Sequence, residues 1–164
     1  MTDDEARFHA VFRHLGAVTA YAGRRGSRDP EALAAEAMAI AWRRLDRVPA
    51  DDPRPWLYAT ARNLLLEERR TPPPSGVVPE QAAYDTAPAR LDAELDDALR
   101  ALSPTDREAL LLVAWEDLTP AQAARALGMS ATAFRVRLLR ARRRLQTLLA
   151  AGDRPPTTLE MEEV

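Results

Sequence analysis

Apolar residues in the first 70 positions recur at spacings of three and four, and no stretch alternates as a strand would, so we expect helices. Turn-forming residues separate these helices at positions 23–27 and 51–55. Asp29 is a candidate N-cap, because Pro30 follows it at the first position of a helix. The three predicted helices cover residues 4–21, 30–47 and 56–70.

The composition changes abruptly after residue 70. Residues 71–76 read Thr-Pro-Pro-Pro-Ser-Gly, which cannot be helical, and six acidic residues but one arginine lie between positions 71 and 97. This pattern predicts a flexible, acidic, Pro-rich linker between two small helical domains, and therefore an all-α fold. The expected boundaries are residues 4–70 for a three-helix domain, 71–90 for the linker, 91–150 for a helix-turn-helix domain and 151–164 for a disordered tail.

The second half opens with a predicted helix that carries leucines at positions 91, 95, 99 and 102. A second helix start follows at Ser103, which precedes Pro104 and Asp106. A hydroxyl cap, a proline at the first helical position and an acid in the first turn each favour a helix N-terminus. We expect this helix to continue to about residue 115.

The segment from Thr119 to Ser130 predicts a helix-turn-helix. Thr119 and Gln122 have the spacing of a capping box, and a short alanine-rich helix follows. Gly128 suits the left-handed position that ends a helix, and Ser130 can cap the next one. Two helices joined by so short a glycine-containing turn are typical of this motif.

The helix after Ser130 separates an apolar stripe from a basic face. Six arginines and no acid lie between positions 130 and 149, in a chain whose formal net charge is −2. A solvated arginine face is the alternative interpretation. The capping box, the glycine turn and the uniformly positive charge of this helix favour phosphate binding instead. The stripe comprises Phe134, Leu138, Ala141, Leu145 and Leu148, and the candidate DNA-binding residues of the other face are Thr132, Arg135, Val136, Leu139, Arg140 and Arg143.

In a helix-turn-helix, the N-terminal part of the second helix meets base edges in the major groove. Arg135 and Arg140 could each bond a guanine with two hydrogen bonds, and Thr132 or Leu139 could touch a thymine methyl group. The arginines at 142–144 lie farther along the helix and suit backbone phosphates.

Composition narrows the classes of function. The chain has 164 residues, no cysteine and two histidines, His9 and His14, which lie on different helix faces, so we expect no metal site and no cofactor. We find no nucleophile–base pattern, spaced acid pair or glycine-rich phosphate loop, which argues against an enzyme. The N-terminus is acidic, and no apolar run approaches the ~20 residues of a membrane span. We therefore expect a cytoplasmic protein without membrane insertion.

Taken together, these segments resemble a small alternative sigma factor of RNA polymerase, of the extracytoplasmic-function group (group 4) in the sigma-70 family. Residues 102–112 (LSPTDREALLL), 118–124 (LTPAQAA) and 130–142 (SATAFRVRLLRAR) are similar to the family's region 4, which reads the minus-35 promoter element. In the first half, residues 29–38 (DPEALAAEAM) and 41–45 (AWRRL) resemble the polymerase-docking helix of region 2, and residues 55–64 (PWLYATARNL) resemble the helix that reads the minus-ten element.

The resemblance implies an initiation subunit without catalysis of its own, whose partners are core RNA polymerase and promoter DNA. It also implies that an anti-sigma protein could hold the factor inactive. The docking helix of the family usually carries an acid and a glutamine where this chain has Ala32 and Ala35, and a polar residue is common at the position of Val136. The residues that match functional positions are Asp29, Glu31, Leu33 and Glu36 for core polymerase, and Arg54, Arg62 and Asn63 for the minus-ten element.

The residues alone leave two alternatives open. One is a stand-alone helix-turn-helix regulator whose first half dimerises or senses a signal. The other is a sigma-derived adaptor that binds proteins only, which the altered docking helix suggests. The acidic loop at 51–54 fits either a base-capturing loop or an ordinary helix cap. Trp42 and Trp56 are more simply interpreted as core residues than as platforms on which bases stack. Residues 67–70 fit a solvated helix end.

Overall fold

The computed structural model of the protein describes residues 1–73 and 93–152. These two ranges form helices and contain no strand, which confirms the all-α fold. Most of the predicted linker and tail lies at 74–92 and 153–164, outside the described residues. The helices are α1 (Asp3–Phe12), α2 (Leu15–Arg24), α3 (Pro30–Arg43), a 3-10 turn (Leu45–Arg47), α4 (Arg54–Arg70), α5 (Ala93–Arg100), α6 (Pro104–Ala114), α7 (Pro120–Leu127) and α8 (Ala131–Gly152).

The first half contains four α-helices rather than the three expected, because the predicted first helix breaks at Arg13 and His14. The His14 amide donates to the carbonyl of Val11, three residues earlier, at 3.0 Å, whereas an α-helical bond reaches four residues back. The φ and ψ angles of His14 are −90° and 4°. The break lets α1 pack on α3 and the 3-10 turn, while α2 packs on α3 and α4. The apolar pattern of the sequence does not reveal this break, because Val11, Leu15 and Val18 keep helical spacing across it.

The predicted second helix begins as expected and ends early. Asp29 caps α3 by accepting a hydrogen bond from the Ala32 amide at 2.9 Å, with Pro30 in the first turn. The α-helix ends at Arg43, and the chain tightens into the 3-10 turn before α4. The side chain of Arg7 fastens this turn to α1 by donating to the Leu45 carbonyl at 2.9 Å.

The caps predicted for the second half are present. The Ser103 hydroxyl accepts from the Asp106 amide at 3.2 Å. Thr119 and Gln122 form a complete capping box, with distances of 3.2 Å and 2.8 Å. Gly128 ends α7 in the left-handed conformation at φ 66°. These local bonds set the lengths of α6 and α7 and so the geometry of the turn into α8.

The two halves share one hydrophobic cluster. Helix α4 packs against α7, and α7 and α6 both pack against α8. Tyr21 is buried in α2 and stacks on Tyr58 of α4 with 5.0 Å between ring centroids. The halves are therefore in direct contact in this structure, rather than held apart.

The two tryptophans of the first half differ in their surroundings. Trp56 is partly buried against the core, as expected. The core interpretation of Trp42 is wrong, because its side chain is 47% exposed and lies edge-on to Phe8, with 5.1 Å between ring centroids.

Replacing Gly128 with alanine should lower the free energy of unfolding by about 1 kcal/mol, because a β-carbon strains the backbone at positive φ. Steric crowding is not the cause, since no atom lies within 4 Å of a β-carbon placed there. Gly16, inside α2, has equally open space and serves as the matched control.

The Gly16→Ala variant should gain about 0.5–1 kcal/mol, because alanine has the higher helix propensity. Urea denaturation followed by circular dichroism compares the two variants. Equal stabilities for Gly16→Ala and Gly128→Ala would contradict the assigned turn.

Candidate nucleic-acid interface

The apolar stripe of α8 is buried as its spacing predicts. Phe134, Leu138 and Ala141 are buried, and Leu145 and Leu148 pack partly buried against the same core. Helices α5, α6 and α7 all contact α8. The opposite face of α8 is therefore turned toward solvent.

All of the predicted minus-35 residues lie on this exposed face. Val136 and Leu139 are 45% and 49% exposed, which is notable for large apolar side chains and fits contact with thymine methyl groups. The exposed residues of the set are Thr132, Arg135, Val136, Leu139, Arg140 and Arg143.

The basic charge of α8 is largely free. Arg137 donates to the Asp106 carboxylate at 2.8 Å and so ties α8 to α6. Within the described residues, the other five arginines of the helix form no ion pair, and all five are exposed. These are Arg135, Arg140, Arg142, Arg143 and Arg144. The face is therefore positively charged and suited to the DNA backbone.

The three residues matched to the minus-ten element do not form one surface in this conformation. Arg54 is half-buried and paired with Asp52 at 3.3 Å. Arg62 lies half-buried in a cleft of ≈ 1620 Å³ that Tyr21 also lines. Asn63 is exposed, and the 100° step between neighbouring positions of a helix turns it away from Arg62.

The loop at 51–54 bonds within the protein. The Asp52 carboxylate accepts from the Arg54 side chain and, across the two halves, from the Gln122 amide at 2.6 Å and the Arg125 guanidinium at 3.5 Å. Burial alone would raise the pKa of Asp52, but the hydrogen bonds from Gln122 and Arg54 and the charge of Arg54 outweigh it and hold the pKa below its usual value. In this conformation the loop caps α4 and contacts α7.

The candidate polymerase-docking residues on α3 divide into exposed and buried ones. Asp29, Glu31 and Glu36 are exposed, and Glu36 pairs with Arg43 at 3.3 Å. The assignment of Leu33 to the docking surface is corrected, because its side chain is only 8% exposed and belongs to the core. Ala32 and Ala35, at the altered positions, are both exposed on the same outer face of the helix.

A buried cluster of charges between the halves escaped sequence reasoning. Arg25 reaches Glu108 at 3.1 Å and Glu116 at 2.6 Å, and Arg24 reaches Glu116 at 2.6 Å. The Tyr21 hydroxyl donates to Glu108 at 2.7 Å. Burial, reinforced by the negative charge of Glu108, raises the pKa of Tyr21. One signal was available: Glu108 lies one turn before buried Leu112, on the core side of α6.

The end of α4 is only partly solvated: Glu67 and Arg70 are exposed as expected, but Glu68 and Arg69 form long-range bonds. The Glu68 carboxylate accepts from the Ser27 hydroxyl at 2.9 Å and from the Arg28 backbone amide. Arg69 donates to the Arg25 carbonyl at 2.8 Å. These bonds fix the turn that presents Arg24 and Arg25 to the second half.

Residues 1–73 and 93–152 contain no group of three or more His, Cys, Asp or Glu residues placed to hold a metal ion. In the same ranges, no helix is both long and apolar enough to cross a membrane.

Residues 92–145 match the family model described as Sigma-70, region 4. The chain is 37% identical over 91 residues to the RNA polymerase sigma-E factor of Streptomyces coelicolor, covering 55% of this chain and 51% of that protein. It is 35% identical over 91 residues, with the same coverage, to the sigma-E factor of Streptomyces antibioticus. The chain thus spans about half the length of these curated relatives.

Two solved structures have a similar fold across both halves. The sigma factor RpoE, solved in complex with the anti-sigma factor NepR from Bartonella quintana, superposes with a TM-score of 0.62 at 25% identity, covering 89% of this chain and 97% of that one. CnrH, solved in complex with the cytosolic domain of CnrY, superposes with a TM-score of 0.62 at 26% identity, covering 91% and 90%. The resemblance drawn from the sequence is confirmed: residues 92–145 match region 4 of the sigma-70 family, and the chain is similar to sigma factors over most of its length.

Proposed function

We propose that the chain is an alternative sigma factor that binds core RNA polymerase and directs promoter-specific transcription initiation. The observation that carries this proposal is the exposed, unpaired arginine face of α8, which follows a capped helix-turn-helix inside the segment that matches region 4. Similarity to sigma factors over nearly the whole described fold supports it.

The minus-35 element would be read by α8 in the major groove. Arg135 and Arg140 supply bidentate donors for guanine, and Val136 and Leu139 supply apolar contact for thymine. Arg143, farther along the exposed face, would position the helix through phosphate contacts.

The minus-ten element would be read from the first half. Asn63 is the best-placed residue, because its amide is exposed and can bond the edge of an unstacked base. Arg62 lies in the cleft and Arg54 is paired with Asp52 of the same loop, so each side chain would have to rearrange to reach DNA.

Core polymerase would dock on the outer face of α3. Asp29, Glu31 and Glu36 provide an exposed acidic edge there, and Leu33 supports the helix from beneath. Ala32 and Ala35 add no hydrogen bond to a partner, so we expect a weaker contact than a polar face would make.

As an initiation factor the protein would act in the cytoplasm and would have no catalytic activity of its own, since polymerase performs the chemistry. RpoE was solved with the anti-sigma factor NepR, and CnrH was solved with the cytosolic domain of CnrY. We propose that an anti-sigma protein likewise binds this chain and blocks its polymerase or DNA contacts.

Replacing Arg140 with alanine should weaken binding to a minus-35 duplex by about 1–3 kcal/mol and relax the preference at one base pair. Replacing Arg143 should weaken binding to all sequences alike and reduce the salt-dependence slope by about one unit. Fluorescence anisotropy on wild-type and base-substituted duplexes, at several salt concentrations, measures both quantities.

Arg137→Ala is the matched control on the same helix, because its guanidinium already bonds Asp106. We expect a loss of thermal stability with a smaller loss of DNA affinity. The assignment of a base-reading and a phosphate-binding arginine fails if Arg140→Ala and Arg143→Ala change specificity and salt slope identically.

Replacing Glu36 with arginine should impair association with core polymerase, because it reverses a charge on the proposed docking face. Combining Ala32→Asp and Ala35→Gln should tighten association roughly tenfold or more, by adding two hydrogen bonds of about 0.5–1.5 kcal/mol each. Glu67→Arg, at an exposed acid on α4, makes the same charge change elsewhere and controls for net charge.

Sedimentation of labelled protein with core polymerase measures these affinities. Wild-type protein that fails to associate at micromolar concentration, while the doubly restored variant succeeds, would identify a sigma-derived adaptor instead. A dimer that binds symmetric half-sites without polymerase would identify a stand-alone regulator.

A further inference from the structure

The residues that follow α8 in the sequence are strongly acidic. Positions 153–164 read DRPPTTLEMEEV, which contains a single arginine and four acids, Asp153, Glu160, Glu162 and Glu163. Three of these acids lie within positions 160–163, next to the apolar residues Leu159 and Met161. We call residues 153–164 the acidic tail.

The exposed side of α8 has the complementary chemistry. Helix α8 carries six arginines and no acid, and the described acid that bonds one of them is Asp106, through Arg137. The other five arginines are exposed and form no ion pair with any described residue, and two half-exposed apolar side chains, Val136 and Leu139, lie among them. We call these five the arginine face: Arg135, Arg140, Arg142, Arg143 and Arg144.

The tail is long enough to reach every arginine of this face. Helix α8 ends at Gly152, and prolines at 155 and 156 disfavour a continuation of the helix. Arg143 and Arg135 lie about 14 Å and about 26 Å back along the axis, at about 1.5 Å per helical residue. An extended chain of about 3.3 Å per residue could carry Glu163 up to about 36 Å from Gly152.

We propose that the acidic tail lies back along the arginine face of α8 and competes with DNA for it. The inference rests on the proposed reading of the minus-35 element by α8 and concerns the regulation of that surface. The three glutamates at 160, 162 and 163 occupy arginines that would otherwise bind DNA phosphates. Leu159 and Met161 cover Val136 and Leu139.

The strength of the contact depends on the tether. An exposed ion pair contributes little by itself and is screened by salt. Attachment to the end of the same helix compensates, because a short tether holds a segment at an effective concentration in the millimolar range. Since this competition acts on the free protein, it lowers the affinity for every duplex by the same factor and leaves the sequence preference unchanged.

Neutralising the tail should therefore strengthen DNA binding by the full chain. The variant combines Glu160→Gln, Glu162→Gln and Glu163→Gln, which removes three charges. The matched control removes three charges elsewhere, through Asp4→Asn, Asp46→Asn and Glu67→Gln, at exposed acids that form no ion pair with a described residue. Fluorescence anisotropy with a labelled minus-35 duplex and a base-substituted duplex measures the affinities at several salt concentrations.

We expect the tail variant to bind both duplexes roughly three- to thirtyfold more tightly than wild type at low salt. The difference should shrink as salt is added, because salt also releases the tail, so the variant should show the steeper salt dependence. The control should bind as wild type does. Equal affinities for the tail variant and wild type, or an equal gain in the control, would overturn the proposal.

The acids of residues 74–92 are the other candidate occupants of the face. Glu80→Gln combined with Asp85→Asn neutralises two of them. A gain in affinity from this pair, with none from the tail variant, would assign the arginine face to that segment and overturn the proposal.

A second measurement detects the contact without DNA. The chain has no cysteine, so Val164→Cys gives a single site for a nitroxide label on the tail. We expect the label to broaden the methyl NMR signals of Val136 and Leu139 at low salt, and a duplex or high salt to restore them. The buried Val18 of α2 should be unaffected. The same label on the neutralised tail controls for chance encounters.

Broadening of Val136 and Leu139 that is no stronger with the natural tail than with the neutralised one would also overturn the proposal. The two measurements separate this inference from the proposed function. If neither wild type nor the tail variant binds any duplex, the DNA-reading role of α8 fails. The broadening in the free protein then still decides whether the tail lies on the arginine face.

Discussion

Burial of one stripe of α8 is the constraint on which the rest of the account depends. Phe134 is fully buried and Leu138 and Ala141 lie on the same side, so the helix has one rotational setting that satisfies its apolar residues. That setting turns Arg140, Val136 and their neighbours outward. The proposed DNA-reading face is thus a consequence of core packing. The capping box at Thr119 and the left-handed Gly128 fix the direction in which the helix leaves the turn.

The same core that orients α8 also joins the two halves. Apolar contacts between α4 and α7 bring the halves together, and the buried arginine–glutamate pairs make the arrangement specific. A buried ion pair is a poor source of net stability but a strong discriminator among arrangements, because a misaligned interface would leave its charges unpaired.

Local chemistry made much of the fold predictable from sequence. The caps at Asp29, Ser103 and Thr119, and the glycine at the end of α7, form bonds between residues close in the chain, and each was found as expected. The exposed face of α8 followed from helical periodicity. The break at His14 did not, because packing of α1 and α2 against different neighbours imposes it while the apolar spacing stays regular.

Long-range pairing was the part that sequence could not supply. Arg24 and Arg25 look like ordinary turn residues, and their partners are more than 80 positions away. Asp52 gave no sign of its bond to Gln122, although a carboxylate in a helix-start loop was itself expected. The burial of Leu33, which was expected on the proposed docking surface, has the same origin, since only the tertiary packing shows which side of α3 faces the core.

The most direct test of the central claim is run-off transcription with purified core polymerase on fragments of the genome that encodes this chain. The account predicts discrete transcripts that appear only when the protein is added, from start sites that share two unlike upstream elements. A protein that binds these fragments and yet directs no initiation by core polymerase would contradict it.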